Sequence, residues 1–318
     1  MTPSLLGLHH VTAIAGDPQQ NVDFYTGVLG LRLVKITVNV DDPEAYHLYY
    51  GDELGRPGTL LTFYCWPGAI RGRPGTGQVI VTALAVPPNT LDAWRSRLSA
   101  HGVFVEGPSS RGAGQVLAFR DPDGLSLELI AHPAVVRWPA PLDGPIPAMQ
   151  AIRGVYGITI WVQRRTPTEA FLTAALGARR LEEDAVGGLR RYRLGRGGPG
   201  TLVDVREMQG VGPGLTAVGS VHHVGVRIRD KRALSLWQER LATYVDTVGA
   251  VQDRLYYRSI TVEEPGGVRI DLATDGPGVG VDEDPAELGT HLALPPWLEH
   301  RRTHLAHALP PLHRRDAT

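Results

Sequence analysis

Four segments of the chain repeat one pattern of hydrophobic and polar residues. Each starts with a strand-like apolar run, continues through a turn or capping sequence, and then places apolar residues at helical spacing, as in Leu91, Trp94 and Leu98. Shorter runs of alternating apolar and polar residues follow. Side chains on one face recur at every second position in a strand and at about every 3.6 positions in a helix, so the two patterns distinguish strands from helices. The four leading runs are Leu8 to Ala15, Gln78 to Val86, Gly154 to Val162 and Ser220 to Ile228. The pattern predicts four βαβββ modules.

The spacing of these modules indicates internal duplication. Aligning the strand centres at His10, Ala83, Gly157 and His223 gives steps of 73, 74 and 66 residues, and a near-constant period is typical of repeated units. A proline-rich stretch, 133–149, separates the second module from the third and is the best linker. We therefore expect an α+β fold with two domains of two modules each. The predicted ranges are 1–135 and 150–285, followed by a C-terminal tail, 286–318.

Charge and cysteine content narrow the class of protein. Lysine and arginine total 32 and aspartate and glutamate 33, so the net charge of -1 provides no basic field for nucleic acid or anionic membranes. The single cysteine, Cys65, excludes an intramolecular disulfide and a multi-cysteine metal site. The first residues lack the pattern of a secretory signal, and no apolar run has the length of a membrane-spanning helix. A cytoplasmic protein is the expectation.

Two His-His pairs at equivalent places in the first and fourth modules are the main candidates for chemistry. Because neighbouring side chains in a strand point to opposite faces, only one histidine of each pair should enter a given cleft. The flanking residues favour His10 over His9 and His223 over His222. The last strand of the fourth module adds Asp271 as the one inward carboxylate. Two imidazoles and one carboxylate suit non-heme Fe(II) with open positions, and Mn(II) suits the same ligands.

The chain resembles the vicinal oxygen chelate superfamily, and within it the ring-cleaving dioxygenases that open hydroquinones. The resemblance spans nearly the whole chain, and the residues that carry it include Leu8-His9-His10-Val11-Thr12, Tyr46-His47-Leu48-Tyr49-Tyr50-Gly51-Asp52, Asp253-Arg254, Glu264-Pro265-Gly266-Gly267 and Leu294-Pro295-Pro296-Trp297-Leu298-Glu299. It implies βαβββ modules paired into two half-barrel domains that hold Fe(II). His10, His223 and Asp271 match the metal ligands of the family.

Further matches place His9, His222, Thr12 and Arg254 around the bound aromatic, as groups that orient it or carry protons. Two positions depart from the family. Asp271 stands where these enzymes have a glutamate, and Thr261 stands where they tend to have a tyrosine. The shorter carboxylate must approach the metal more closely or bind it more weakly, and the lost phenol alters the surroundings of the substrate.

The sequence therefore predicts an Fe(II)-dependent, extradiol-type dioxygenase that acts with O2 on a hydroquinone or catechol-like aromatic. Two alternatives stay open: another metal-dependent enzyme of the superfamily, such as an isomerase or lyase, and a non-catalytic module that binds an aromatic compound. A small aromatic substrate and O2 are the expected partners, with no nucleic acid and no membrane. A homo-oligomer is compatible with the sequence.

Overall fold

A computed structural model describes residues 4–111, 114–140, 144–181 and 188–313. Three parts of the predicted organisation lie outside the described residues. They are the two chain ends, 1–3 and 314–318, and part of the predicted linker, 141–143. The α+β fold class and the four βαβββ modules are confirmed. In the first two modules the elements are β1 (Gly7–Ala15), α1 (Pro18–Val22) with a π-helical continuation (Asp23–Val28), β2 (Arg32–Asn39), β3 (Asp42–Gly51), β4 (Leu60–Cys65), β5 (Gln78–Val86), α2 (Leu91–Ala100), β6 (Val105–Arg111), β7 (Gly114–Arg120) and β8 (Ser126–Ala131).

The third and fourth modules repeat this order. Their elements are β9 (Gly154–Val162), α3 (Arg165–Ala170) with a π-helical continuation (Phe171–Ala175), β10 (Arg179–Leu181), β11 (Leu189–Arg193), β12 (Leu202–Glu207), β13 (Val221–Ile228), α4 (Lys231–Leu241), β14 (Gln252–Asp253), β15 (Tyr257–Glu263) and β16 (Arg269–Pro277). Short 3-10 helices lie at Pro133–Arg137, Val279–Val281 and Pro296–Arg301, and α5 (Arg302–Ala308) ends the described chain. None of the described helices is long and apolar enough to cross a membrane.

The strands form two eight-stranded mixed sheets, and each sheet joins modules that are distant in the sequence. The first has the order β14-β15-β16-β13-β1-β4-β3-β2 and combines modules one and four, while the second has the order β10-β11-β12-β9-β5-β8-β7-β6 and combines modules two and three. β1 pairs antiparallel with β13, and β5 with β9. Each sheet thus takes one module from each sequence half, so hydrogen bonding crosses the boundary of the ranges 1–135 and 150–285. The division of the chain into these two domains stays a prediction.

The helices pack on the sheets through the apolar stripes that their spacing predicts. Trp94 of α2 and Trp237 of α4 are among the largest fully buried side chains, and each has leucines one helical turn away on the same face. Side chains of this size remove much apolar surface from water, which at about 25 cal/mol per Å² makes them principal contributors to stability. The opposite face of each sheet is left to line a cavity.

The C-terminal tail closes the outer edge of the first sheet. β2 is the edge strand, and the backbone N–H of Ala293 donates to the carbonyl of Ile36 at 2.9 Å. The fully buried ammonium of Lys35 in β2 pairs with Glu283 and, at 2.6 Å, with Asp282. An exposed strand edge invites unwanted pairing, and the tail covers it here.

Candidate metal centre

Two β-bulges bring both histidines of each pair to the same side of the first sheet. In the β1–β13 ladder Leu8 pairs with Val226 and His10 with Gly225, so His9 is an extra residue; the corresponding extra residue on β13 is His222. The rule of alternation predicts opposite faces within each pair, and that expectation is wrong here because a bulge shifts the side-chain parity by one residue. The bulges therefore add two histidines to the cavity wall.

The four imidazoles form a continuous line of close nitrogen contacts. His9 Nδ1 lies 2.9 Å from His10 Nδ1, His10 Nε2 lies 3.0 Å from His223 Nε2, and His223 Nδ1 lies 2.8 Å from His222 Nδ1. His9 Nε2 lies 3.1 Å from the carbonyl oxygen of Thr274 and must donate to it, because a carbonyl only accepts. His9 Nδ1 then accepts from His10 Nδ1, which leaves the lone pair of His10 Nε2 facing His223.

Burial keeps these histidines neutral at neutral pH. It lowers the pKa of His9 and of His222 to about 4, and it places the pKa values of His10 and His223 well below the ordinary 6.5, with each neighbouring histidine lowering them further. A neutral imidazole nitrogen is the form that binds a metal. The two inner histidines thus present lone pairs where charged imidazolium rings would repel a cation.

Asp271 lies beside this pair, as the sequence predicts. Its Oδ2 is 3.9 Å from His223 Nε2, and its Oδ1 accepts a 2.7 Å hydrogen bond from Thr261, its cross-strand partner on β15. Burial raises the pKa of Asp271, while the Thr261 hydrogen bond opposes the increase. Within the described residues Asp271 has no lysine or arginine in ion-pair contact. A buried carboxylate without a contacting cation is costly, which favours a cation at this place.

The three side chains fit a divalent metal in donor chemistry and partly in geometry. Two ligands at right angles, each about 2.1 Å from a metal, are separated by about 3.0 Å, and the two Nε2 atoms have this separation. The distance between His223 Nε2 and Asp271 Oδ2 is 3.9 Å, roughly 1 Å wider than the spacing of about 3.0 Å expected for two such ligands. No group of three or more such side chains in the described ranges is close enough to form a complete metal cluster as it stands. Two imidazoles are in place, and the carboxylate must move inward.

The other predicted site residues lie on the same cavity wall. Thr12 is the cross-strand partner of His223 and is fully buried. The guanidinium of Arg254 donates to Asp41 at 2.9 Å across the cavity opening, and its side chain is 13% exposed. Asp275, the other carboxylate of β16, is paired with Arg227. The structure therefore brings His9, Thr12, His222 and Arg254 to the candidate centre.

Several residues around the centre carry no signal in the sequence pattern. His47 is 6% exposed and lies with its ring 4.4 Å from that of Tyr64. The ring of Tyr257 lies 5.0 Å from that of His10, and that of Tyr64 lies 5.4 Å from that of His222. His47 and Tyr64 belong to the aromatic-rich strands β3 and β4, whose composition alternation alone attributes to the core.

The second sheet carries a different arrangement at the matching place. Ala83 and Gly157 stand where the first sheet has His10 and His223, and the inward carboxylates Glu128 and Asp204 are both bound by the guanidinium of Arg111. These charges are neutralised within the protein. Among the described residues, the positions of the second sheet that match His10 and His223 therefore offer no imidazole, and Glu128 and Asp204 are both ion-paired.

Comparisons with known proteins agree with this picture. Residues 7–129 match the family model described as the glyoxalase/bleomycin resistance protein/dioxygenase superfamily. The chain is 38% identical to MhqO of Bacillus subtilis (strain 168), a protein assigned as a ring-cleaving dioxygenase, over 99% of both chains. It is 34% identical, over 92% of both, to the chlorohydroquinone/hydroquinone 1,2-dioxygenase of Sphingobium indicum. A crystal structure of a Bacillus subtilis protein assigned as a dioxygenase superimposes with a TM-score of 0.92 at 38% identity, covering 98% of this chain and 99% of that one.

Proposed function

The chain belongs to the glyoxalase/bleomycin resistance protein/dioxygenase superfamily, and from this premise we propose that it is a metal-dependent dioxygenase that cleaves the ring of a hydroquinone. The observation that carries the proposal is the buried pair of neutral imidazoles, His10 and His223, with Asp271 beside them. Two imidazoles and one carboxylate are the donor set of non-heme Fe(II) oxygenases. Relatives over the full length of the chain are assigned the same class of reaction.

His10, His223 and Asp271 would hold the metal, with Fe(II) first and Mn(II) second among the candidates. A bound Fe(II) would pass electrons from the aromatic to dioxygen and would polarise the hydroxyl of the aromatic. The protein must also fix the ligands, and His9 does so for His10 by holding its proton on Nδ1. Such outer hydrogen bonds set ring orientation and tautomer.

The cavity around the centre would receive the aromatic ring and control its protons. Thr12 supplies a hydroxyl beside His223, and Arg254 supplies a fixed positive charge that stabilises a phenolate. Tyr64 and Tyr257 provide aromatic surface against which a substrate ring can pack. Extradiol-type cleavage of a hydroquinone or catechol-like compound is the form of the reaction that we propose.

Oxygen uptake tests the proposal. The protein is purified without oxygen, loaded with Fe(II), and mixed with hydroquinone, chlorohydroquinone or catechol in an oxygen-electrode cell. We expect uptake of one O2 for each aromatic consumed, with loss of the aromatic ultraviolet absorption. Turnover without O2 uptake would favour an isomerase or lyase, and stoichiometric binding without metal or turnover would favour a binding module.

A further inference from the structure

A cavity of about 460 Å³ opens beside His222 and His223. Its wall also includes Trp66, Glu263 and Arg269. Pockets of about 300–1,000 Å³ hold drug-sized ligands, which are larger than a bare hydroquinone. The cavity therefore has room for a substituent on the aromatic ring as well as for the ring itself.

Strand β16 places Arg269 on the same side of the sheet as Asp271. The two residues are two positions apart in a regular part of the strand, where Arg269 pairs across to Glu263 on β15, and side chains two positions apart lie on one face. The neighbouring parallel strand, β13, carries His223 close to the same level. The guanidinium thus lies on the wall of the cavity and next to the candidate centre.

The charge of Arg269 acts on the imidazoles of the centre. Burial is the main reason that the pKa of His222 falls to about 4, and among the neighbouring charges Arg269 contributes most to this decrease. Arg269 also lowers the pKa of His223, again after burial, and it opposes the increase that burial causes in the pKa of Asp271. An anion bound by Arg269 would therefore lie close to the centre.

Arg269 is exposed and has no hydrogen-bond or ion-pair partner in the part of the chain that the structure describes. Other arginines near this sheet face are already engaged, since Arg254 donates to Asp41 at 2.9 Å and Arg227 is paired with Asp275. The guanidinium of Arg269 is free to use its N–H groups, which match the two oxygens of a carboxylate.

We propose that Arg269 determines substrate specificity by binding a carboxylate of the aromatic substrate, so that the substrate class is a hydroquinone with a carboxylate on the ring or on a short side chain; this inference rests on the proposed function. The ring occupies the cavity beside His222 and His223, and the carboxylate accepts hydrogen bonds from the guanidinium. An arginine keeps its positive charge in proteins, so this contact moves no proton and no electron.

The exposure of Arg269 limits the size of the effect. Hydrogen bonds to charged groups are worth roughly a tenfold to a hundredfold change in affinity when they are shielded, and solvent weakens them at exposed positions. Glu263, which also lines the cavity, repels an anion and acts in the same direction. We therefore expect a preference of about tenfold for the anionic substrate, at the lower end of that range.

Anaerobic titration calorimetry of the Mn(II)-loaded protein at neutral pH tests this preference without turnover. The two ligands are 2,5-dihydroxyphenylacetic acid and its methyl ester, which share the hydroquinone ring, while only the free acid is an anion at this pH. For wild type we expect the acid to bind about tenfold more tightly than the ester.

Three variants connect the preference to Arg269. Arg269→Gln removes the charge, and because the side chain is exposed it leaves no buried charge unpaired; the ratio of the two affinities should fall to about one, with a folded circular dichroism spectrum. Arg269→Lys keeps the charge without the planar fork and should give an intermediate ratio. The matched control is Arg95→Gln, which removes an exposed arginine from α2 on the second sheet and should keep the wild-type ratio.

The outcomes separate this inference from the proposed function. Equal affinity of wild type for acid and ester, or no binding of either, overturns the role of Arg269. A wild-type ratio in Arg269→Gln also overturns it, since another group then binds the carboxylate, as does a ratio that Arg95→Gln abolishes equally. Absence of O2 uptake with every hydroquinone overturns the dioxygenase instead, whereas O2 uptake without any preference for the acid overturns only the role of Arg269.

Discussion

Replacing Lys35 by methionine should strongly destabilise the fold. The Lys35 ammonium is fully buried and contacts Glu283, whose side chain is 1% exposed, as well as Asp282 and the ring of Tyr256 at 4.9 Å. Methionine keeps most of the volume but leaves the Glu283 carboxylate buried without Lys35, and among the described residues the half-exposed ring of His291 then lies nearest among basic groups, 3.6 Å away. Removing one partner of a buried ion pair costs about 3–5 kcal/mol.

Urea unfolding at neutral pH, followed by tryptophan fluorescence, measures this loss. The control is the double variant Lys35→Met with Glu283→Gln, which removes both charges. Because a buried pair often contributes little net stability, the double variant should recover about 2 kcal/mol relative to Lys35→Met alone. A loss below about 1 kcal/mol for Lys35→Met, or a double variant less stable than Lys35→Met, would refute the view that Glu283 depends on Lys35.

Three further predictions concern the metal centre and one buried acid. Asp271→Glu lengthens the carboxylate by one methylene, about enough to span the excess of roughly 1 Å, so Mn(II) affinity measured by anaerobic titration calorimetry should rise about tenfold; a fall would show a site built around aspartate. His223→Ala should abolish Mn(II) binding in the same assay, with a folded circular dichroism spectrum. Burial raises the pKa of Asp121 from 3.8 to about 6. The protonated Asp121 carboxyl therefore stabilises the fold below pH 4, and this stabilisation is lost as the pH rises through 6. Asp121→Asn, which still bonds Tyr25, should therefore gain about 3 kcal/mol relative to wild type between pH 4 and pH 7 in urea unfolding.

The modules and the inner ligands can be predicted from sequence because both depend on local, repeated patterns. The runs Gln78 to Val86 and Gly154 to Val162 coincide with β5 and β9, and the matching positions of His10 and His223 follow from the repeat. The pairing of module one with module four cannot be predicted this way. It depends on contacts between strands more than 200 residues apart in the chain, which no local period encodes.

Alternation alone misplaces His9 and His222, which the family resemblance nevertheless predicts as site residues, and it gives no role to His47 or Thr62. The bulges at His9 and His222 consist of single extra residues in a ladder, and alternation assigns such residues to the wrong face. His47 and Thr62 lie close to Thr12 only because β4 pairs with β1, and β3 pairs with β4, in the first sheet. Their polarity marks them as unusual for a buried strand, but only the tertiary structure supplies the partners.

The two sheets differ in how the protein compensates a buried carboxylate. Asp204 on β12 and Asp271 on β16 stand at matching places, each opposite a residue two positions beyond a module centre. Arg191 contacts Asp204 at 2.7 and 2.9 Å, and Arg111 binds it as well, so its charge is neutralised by the protein. Among the described residues, Asp271 accepts a hydrogen bond from the Thr261 hydroxyl and lies beside a neutral imidazole, and Arg254 and Arg269 act on it without an ion-pair contact. Since a buried carboxylate without a contacting cation is costly, a cation from outside the chain would stabilise Asp271 in the first sheet, whereas the second sheet supplies its own arginines.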